Sequence, residues 1–218
     1  MVYSKDKKII FWNVDTQKDF MLPNGKLYII GAGGIIPNLA KLTQLAKKYN
    51  LRVINTGDYH TKETKEISET PDFVNTFPSH CIVGTEGMEF ISETYPSNFK
   101  DNNYIVTPNM SKGIDWGILE RARNITIYKD AFNAFEGNPR TEDIFIYLNP
   151  SEVIIYGVTL DYCVKYAIEE ILKYKWCPVF IVKDAVKAIV NSSFDDFLKQ
   201  GALLINTDEI EKEIIQRA

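Results

Sequence analysis

The residues best able to do chemistry in this chain stand at the ends of short apolar runs. Residues 152–156 (Glu-Val-Ile-Ile-Tyr) form a run of the kind buried on both faces of a sheet. Beyond Gly157-Val-Thr-Leu-Asp-Tyr-Cys163, apolar residues recur at 164, 167, 168, 171 and 172, the spacing of a helix with one buried face. Cys163 therefore sits where a strand becomes a helix, and Lys165, Glu169 and Lys173 take the other side with i,i+4 charge pairing. The first N–H groups and the dipole of such a helix favour a thiolate, which predicts a lowered thiol pKa and a nucleophilic sulfur near neutral pH. The alternative is a small, buried, apolar cysteine.

Other candidates fall at comparable places. Asp15 closes the first apolar run, Asp58 and His60 follow the second, and Lys129 closes a later one. Each alone could be a helix cap, a solvated turn or a surface charge. In an open α/β sheet, however, ligands bind outside the carboxyl ends of the strands, so all four clusters are expected on one edge. The chain has two histidines, His60 and His80, both in loop contexts. Asp58 and His60, two residues apart in an extended segment, point the same way and can face one ion. Glu63, Glu66 and Glu69 offer further oxygens. A mixed histidine and carboxylate set suits Zn, Fe(II) or Mn(II), and spacing does not choose between them.

The elements that must position these groups alternate between strand and helix. Strands are predicted at residues 8–14, 51–56, 124–128, 152–156, 178–182 and 202–205. Helices are predicted after Gly31-Ala-Gly-Gly34, with Ile35, Ile36, Leu39, Leu42, Leu45 and Tyr49 on the apolar side, at 87–94, up to Leu148, after Cys163, at 192–199 and from Asp208. The glycine cluster lacks the third glycine of a dinucleotide fingerprint, since position 36 is Ile. Residues 61–70 form a polar loop long enough to be functional, and 96–103 read as solvent-facing loop. This alternation implies a doubly wound, three-layer α/β fold around a mainly parallel sheet of about six strands, in one domain spanning 1–218.

Composition narrows the partners. With 218 residues and 45% hydrophobic content the chain can bury one sizeable core. A net charge of -4 without a basic block argues against nucleic acid and anionic membranes. No apolar stretch reads as a signal peptide or membrane span, which predicts a cytoplasmic protein. Cys81, Cys163 and Cys177 are widely spaced and odd in number, so reduced thiols are expected.

Taken together and in order, Val14-Asp-Thr-Gln-Lys-Asp-Phe20, Gly31-Ala32 with Ile35-Ile-Pro-Asn-Leu39, Asp58-Tyr-His60, Phe77-Pro-Ser-His-Cys-Ile-Val-Gly-Thr-Glu-Gly87, Lys129 and Gly157-Val-Thr-Leu-Asp-Tyr-Cys163 resemble the isochorismatase-like cysteine hydrolases. The resemblance runs from about residue 9 to about residue 190. The metal-type residues make the chain most similar to the nicotinamidase branch. That resemblance implies Asp15, Lys129 and Cys163 as a catalytic triad. It implies an oxyanion hole from the N–H groups of Thr159 and Cys163, with a cis peptide between Val158 and Thr159. It implies Asp58, His60 and His80 as ligands of one divalent metal, zinc foremost and iron or manganese next. Glu66 falls where some members carry a third histidine and others a carboxylate. Phe20, Phe77, Val158 and Tyr162 would line the substrate pocket. Phe77 stands where the branch often has tryptophan and Tyr162 where histidine is frequent, departures that bear on substrate more than on reaction type. The implied activity is hydrolysis of nicotinamide to nicotinate and ammonia through a cysteine thioester, in NAD salvage, by a protein that binds a small amide and that could be a homo-oligomer. The rival readings are an amide or carbamoyl hydrolase acting on a non-pyridine substrate, isochorismate hydrolysis, and a non-catalytic binding domain.

Overall fold

The apolar runs become the centre of one seven-stranded sheet. The structure, a computed structural model, describes residues 8–96, 103–190 and 193–216. Its strands are β1 (Ile9–Val14), β2 (Arg52–Asp58), β3 (Asn103–Val106), β4 (Asn124–Lys129), β5 (Glu152–Val158), β6 (Val179–Lys187) and β7 (Leu203–Ile205). They lie in the order β3-β4-β2-β1-β5-β6-β7 and every pairing is parallel. The strand count is thus seven, not about six. The strand missing from the sequence reading is β3, a four-residue edge strand in which Tyr104 and Val106 are buried and Ile105 faces solvent; its three apolar residues are too short a run to mark a strand.

Every residue of β1 is buried, and alternate side chains enter different cores. Ile10, Trp12 and Val14 join Val153 and Ile155 of β5 in the core under α5 (Thr141–Leu148) and α6 (Cys163–Leu172). Ile9 and Phe11 join Ile154 and Tyr156 in the core under α2 (Ile36–Lys48). This is why the central strands read as near-continuous apolar runs, with the buried Asn13 of β1 bonding to Asn55 of β2. α6 contributes Val164, Ala167, Ile168 and Ile171 to the first core, each 1% exposed or less. Burial of that order stabilises by about 1.5–3 kcal/mol for each Val or Ile. The ion pair on its outer face is Lys173 with Glu170, at 2.6 Å, an i,i+3 partner and not the i,i+4 partner expected.

Several local expectations are corrected. The helix expected at 87–94 is a single 3-10 turn at Glu86–Met88 followed by turns, because this segment is pinned from outside: Lys18 N–H donates to Glu89 O and Ile91 N–H to Thr16 O. Short helices α1 (Lys18–Met21), α3 (Trp116–Arg121) and α4 (Ala134–Gly137) were not anticipated. The C-terminal helix expected from Asp208 is a 3-10 turn, Thr207–Glu209, capped by Asn206 and Glu209, and then a π-helical turn, Glu211–Ile215. Within the helix expected at 192–199, α7 covers Asp195–Lys199; Ser192 lies outside the described residues, as do 97–102 of the expected loop. No helix among the described residues is long and apolar enough to cross a membrane.

The topology reverses at β1, which pairs with β2 on one side and β5 on the other. Val14 is in register with Thr56 and with Gly157, so the residue after it emerges over both neighbours. Gly157 has φ +117°, and a Cβ there would lie 2.0 Å from Val14 O. Only glycine lets β5 approach β1 so closely beside Asp15.

Candidate active site

Asp15, Asp58, Lys129 and Cys163 all meet at the carboxyl ends of β1, β2, β4 and β5. Asp58 and Lys129 are register partners on adjacent strands, so their side chains stand side by side. Lys129 is fully buried, and its Nζ lies 2.9 Å from Asp15 Oδ2, 3.5 Å from Cys163 Sγ, and in direct hydrogen-bonded contact with Asp58 Oδ1. Asp15 adopts φ +48°, a region aspartate tolerates better than most residues, and its Oδ1 accepts from the Thr56 hydroxyl at 2.8 Å. One oxygen each of Asp15 and Asp58 lies within 4.8 Å of Cys163 Sγ.

The electrostatics follow from one ammonium serving two carboxylates in a dry site. Burial would raise the Asp58 carboxyl, but Lys129 and the adjacent histidines more than offset it and hold Asp58 well below the usual range. Burial raises Asp15, opposed by Lys129 and reinforced by Asp58. Burial tends to discharge Lys129, yet the two aspartates hold its pKa well above the ordinary value. Burial also pushes the Cys163 thiol well up; Lys129 pulls down and both aspartates push further up. This is opposite in direction to the expectation from the helix N-terminus. Cys163 is indeed the first residue of α6, but desolvation and two neighbouring carboxylates outweigh the dipole. The sulfur therefore keeps its proton at rest and must hand it to a base.

A second cluster adjoins the first. Asp58 Oδ2 lies 3.3 Å from His60 Nε2 and 3.5 Å from His80 Nε2, and the imidazole rings are 4.8 Å apart. His80 Nδ1 donates to the Pro78 carbonyl at 2.7 Å, which fixes the ring with Nε2 turned toward Asp58. His60 is fully buried with no hydrogen-bond partner on either nitrogen. Two nitrogens and a carboxylate oxygen, with an orphaned buried imidazole among them, fit a divalent transition metal.

Glu66 does not join these three. Its Oε1 accepts from the Phe132 N–H at 2.7 Å, while Oε2 is buried without a partner. Burial raises its carboxyl to about 7, despite Lys129 nearby. The folded state therefore binds a proton more tightly than the unfolded chain, so stability should fall as pH rises between about 4.5 and 7. The full loss corresponds to about 3 kcal/mol. In metal-free protein, Glu66→Gln should remove that slope from urea midpoints taken across the window; an unchanged slope would place its source elsewhere.

Phe20, Phe77, Val158, Thr159, Tyr162 and Cys163 line one slot together with Asp58 and His80. The slot is also walled by Leu27, Ile29, Phe132 and Ile189, which the sequence reading did not single out. Phe77, Phe132 and Tyr162 pack mutually, with ring centroids 5.3–5.8 Å apart. Phe132 follows the strand that ends in Lys129 by three residues, a position on the functional edge that could have flagged it. A larger surface cleft of about 580 Å³ shares only His80 with the slot.

Two further residues of the Val14–Phe20 segment support the site. Gln17 is fully buried; its Oε1 accepts from Asp58 N–H at 2.7 Å and its Nε2 donates to Asp58 O at 2.8 Å and to Met88 O at 2.8 Å. It thus grips both backbone groups of Asp58. Asp19 accepts from the N–H groups of Lys26 and Cys81, fixing the residue after His80. Gln17→Ala should weaken metal binding about 10–100-fold, the usual cost of losing an outer support, measured by chelator competition; unchanged affinity would show that the sheet alone holds Asp58.

These features describe a doubly wound α/β protein with a buried Cys-Asp-Lys cluster and a metal-type triad at its topological switch point. The Isochorismatase domain model matches residues 10–207, and the chain belongs to that family of hydrolases. A nicotinamidase/pyrazinamidase from Mycobacterium tuberculosis is 26% identical over 164 residues, covering 73% of this chain and 76% of its own. The crystal structure of N-carbamoylsarcosine amidase from Thermoplasma acidophilum superposes with a TM-score of 0.70 at 22% identity, over 94% of this chain and 99% of that one. Pyrazinamidase of Pyrococcus horikoshii in complex with zinc gives 0.68 at 24% identity, over 91% and 99%.

Proposed function

We propose that the chain is a metal-dependent cysteine amidohydrolase that converts nicotinamide and water to nicotinate and ammonia. The observation that carries this reading is the contact of Lys129 with Asp15, Asp58 and Cys163 at the base of an aromatic slot whose wall also bears His80. The relatedness to a nicotinamidase/pyrazinamidase and the fold of a zinc-bound pyrazinamidase support it.

Asp15 takes the thiol proton as Cys163 Sγ bonds to the amide carbon. Lys129 keeps Asp15 oriented and favours the charge-separated state that burial opposes. The carbonyl oxygen becomes an oxyanion held by the N–H groups of Thr159 and Cys163. The peptide before Thr159 is cis, and neither N–H donates to another described group, whereas those of Tyr162 and Val164 both go to Thr159 O. Asp15 then protonates the departing nitrogen, ammonia leaves, and a thioester remains. Asp15 next takes a proton from water as it attacks the thioester, and the sulfur recovers its proton as nicotinate departs. Asp58, His60 and His80 would hold the metal, with Glu66 as a further oxygen if its side chain turns. Such an ion, when bound, supplies a Lewis-acidic point that a pyridine nitrogen can ligate, which orients the ring.

As it stands the slot is narrow, about 20 Å³, so a pyridine ring enters only if side chains of its wall give way. That tightness favours a second reading, a smaller non-pyridine amide or carbamoyl substrate on the same triad. Ammonia release from nicotinamide, pyrazinamide and a panel of small amides, with and without zinc, separates the two. Turnover of nicotinamide that needs metal supports the first; metal-free turnover of small amides alone supports the second and removes the first. The reading takes the chain as one domain, supported by a single sheet from Ile9 to Ile205, and as cytoplasmic, in keeping with three free cysteines.

A further inference from the structure

Among the described residues, buried hydroxyls are almost all satisfied. Thr16, Thr56, Thr94, Thr126, Thr141 and Thr207 each make a hydrogen bond within 3.1 Å. Among the described residues two hydroxyls are buried without a partner, Ser151 Oγ and Thr159 Oγ1. Ser151 lies at the amino end of β5, far from the chemistry. Thr159 is 4% exposed and lines the slot beside Cys163. A buried hydroxyl left unpaired calls for an explanation, and at such a place a ligand is the natural partner.

The surroundings say which part of the ligand. The slot wall is otherwise hydrocarbon and aromatic, and its remaining polar side chains are Asp58, His80, Tyr162 and Cys163. Asp58 and His80 face the metal cluster, so a polar atom near Thr159 belongs to the amide being cleaved. Asp15 is the acceptor in that neighbourhood and draws the amide nitrogen toward itself. The carbonyl oxygen is thereby left on the side of Thr159. Backbone N and Oγ1 of one threonine lie roughly 3 Å apart in a gauche rotamer, so one acceptor atom can meet both.

We propose that the Thr159 hydroxyl is a third oxyanion donor, acting with the N–H groups of Thr159 and Cys163; this rests on the amidohydrolase reading above. The hydroxyl donates to the carbonyl oxygen as charge develops and keeps its own proton throughout, so no proton is transferred. It deepens the specificity of the site for acyl groups with a free carbonyl oxygen, amide or ester alike.

The test compares Thr159→Val, Thr159→Ala and Thr159→Ser in zinc-loaded protein, with folding checked by circular dichroism. Wild-type ammonia release from nicotinamide is measured first. Both hydroxyl-free variants should lose about 10²-fold in kcat with KM changed less than about threefold, as for removal of one oxyanion donor. Thr159→Ser should recover most of that loss. The same loss is expected with methyl nicotinate, which has no N–H. Wild-type kcat in Thr159→Val and Thr159→Ala, a loss confined to KM, a loss in Thr159→Ser as large as in Thr159→Val, or a loss seen with the amide but not the ester would each overturn the assignment while leaving the reading intact. A wild-type protein that releases no ammonia from nicotinamide overturns the reading, and this assignment with it.

Discussion

Replacing Cys163 by alanine is expected to lower amide hydrolysis by about 10⁴-fold or more in kcat, the scale on which loss of a covalent nucleophile acts when the surrounding groups work as a unit. The fold should survive. Cys163 is small, sits at the first position of α6, and its removal takes a poorly solvated thiol away from two carboxylates. Metal affinity should stay within a few-fold, since Asp58, His60 and His80 keep their positions. Rapid acid quench followed by mass spectrometry of the wild type should trap an acyl adduct on the peptide that carries Cys163, and the variant should show none. Turnover in Cys163→Ala within tenfold of wild type would rule out a covalent cysteine route.

The second large effect lies at Lys129. Among the described residues its ammonium is the cation shared by Asp15, Asp58 and Cys163, and methionine keeps its approximate length without charge. Lys129→Met leaves two buried carboxylates facing each other, and breaking a buried pair in this way costs about 3–5 kcal/mol. The sign with pH is fixed. In the wild type, Asp58 is depressed by Lys129, so its contribution is present above the ordinary aspartate range and is lost as pH falls through the folded value. In the variant, burial and like charge raise both aspartates, so the folded form is favoured by protonation and the deficit grows as pH rises. The gap in urea midpoint between wild type and variant should therefore be wide at pH 8 and narrow toward pH 4, measured with chelator present. A gap that is constant or widens on acidification would mean that Lys129 does not carry the charge balance. Turnover should fall about 10³-fold or more, because Asp15 without its ammonium partner no longer returns to the ionised state that accepts the thiol proton.

Much of the architecture is legible in the sequence. The runs at 8–14, 51–56, 124–128 and 152–156 became β1, β2, β4 and β5 because strands buried on both faces are mostly apolar, and the buried Asn13, Asn55 and Asn124 that interrupt them bond to one another across the sheet. The two amphipathic helices, α2 and α6, kept their buried faces as expected. What escaped was whatever the tertiary environment imposes. β3 owes its existence to pairing with β4, and the segment at 87–94 has helix-compatible residues but gives the Ile91 N–H and the Glu89 carbonyl to the neighbouring loop at residues 16–18.

The candidate site divides in the same way. Asp15, Asp58, His60, Lys129 and Cys163 stand out in sequence as candidates because a parallel sheet brings the residues after its strands to one edge, while the roles expected of them came from the resemblance. Sequence could not decide that Lys129 touches both aspartates, that Gln17 grips the backbone of Asp58, or that Phe132 completes the aromatic wall. Nor could it tell that the Cys163 thiol is held up rather than down. Strand order and register set the distances between charges, and burial sets how strongly those charges act on one another; neither exists along the chain until the sheet has formed.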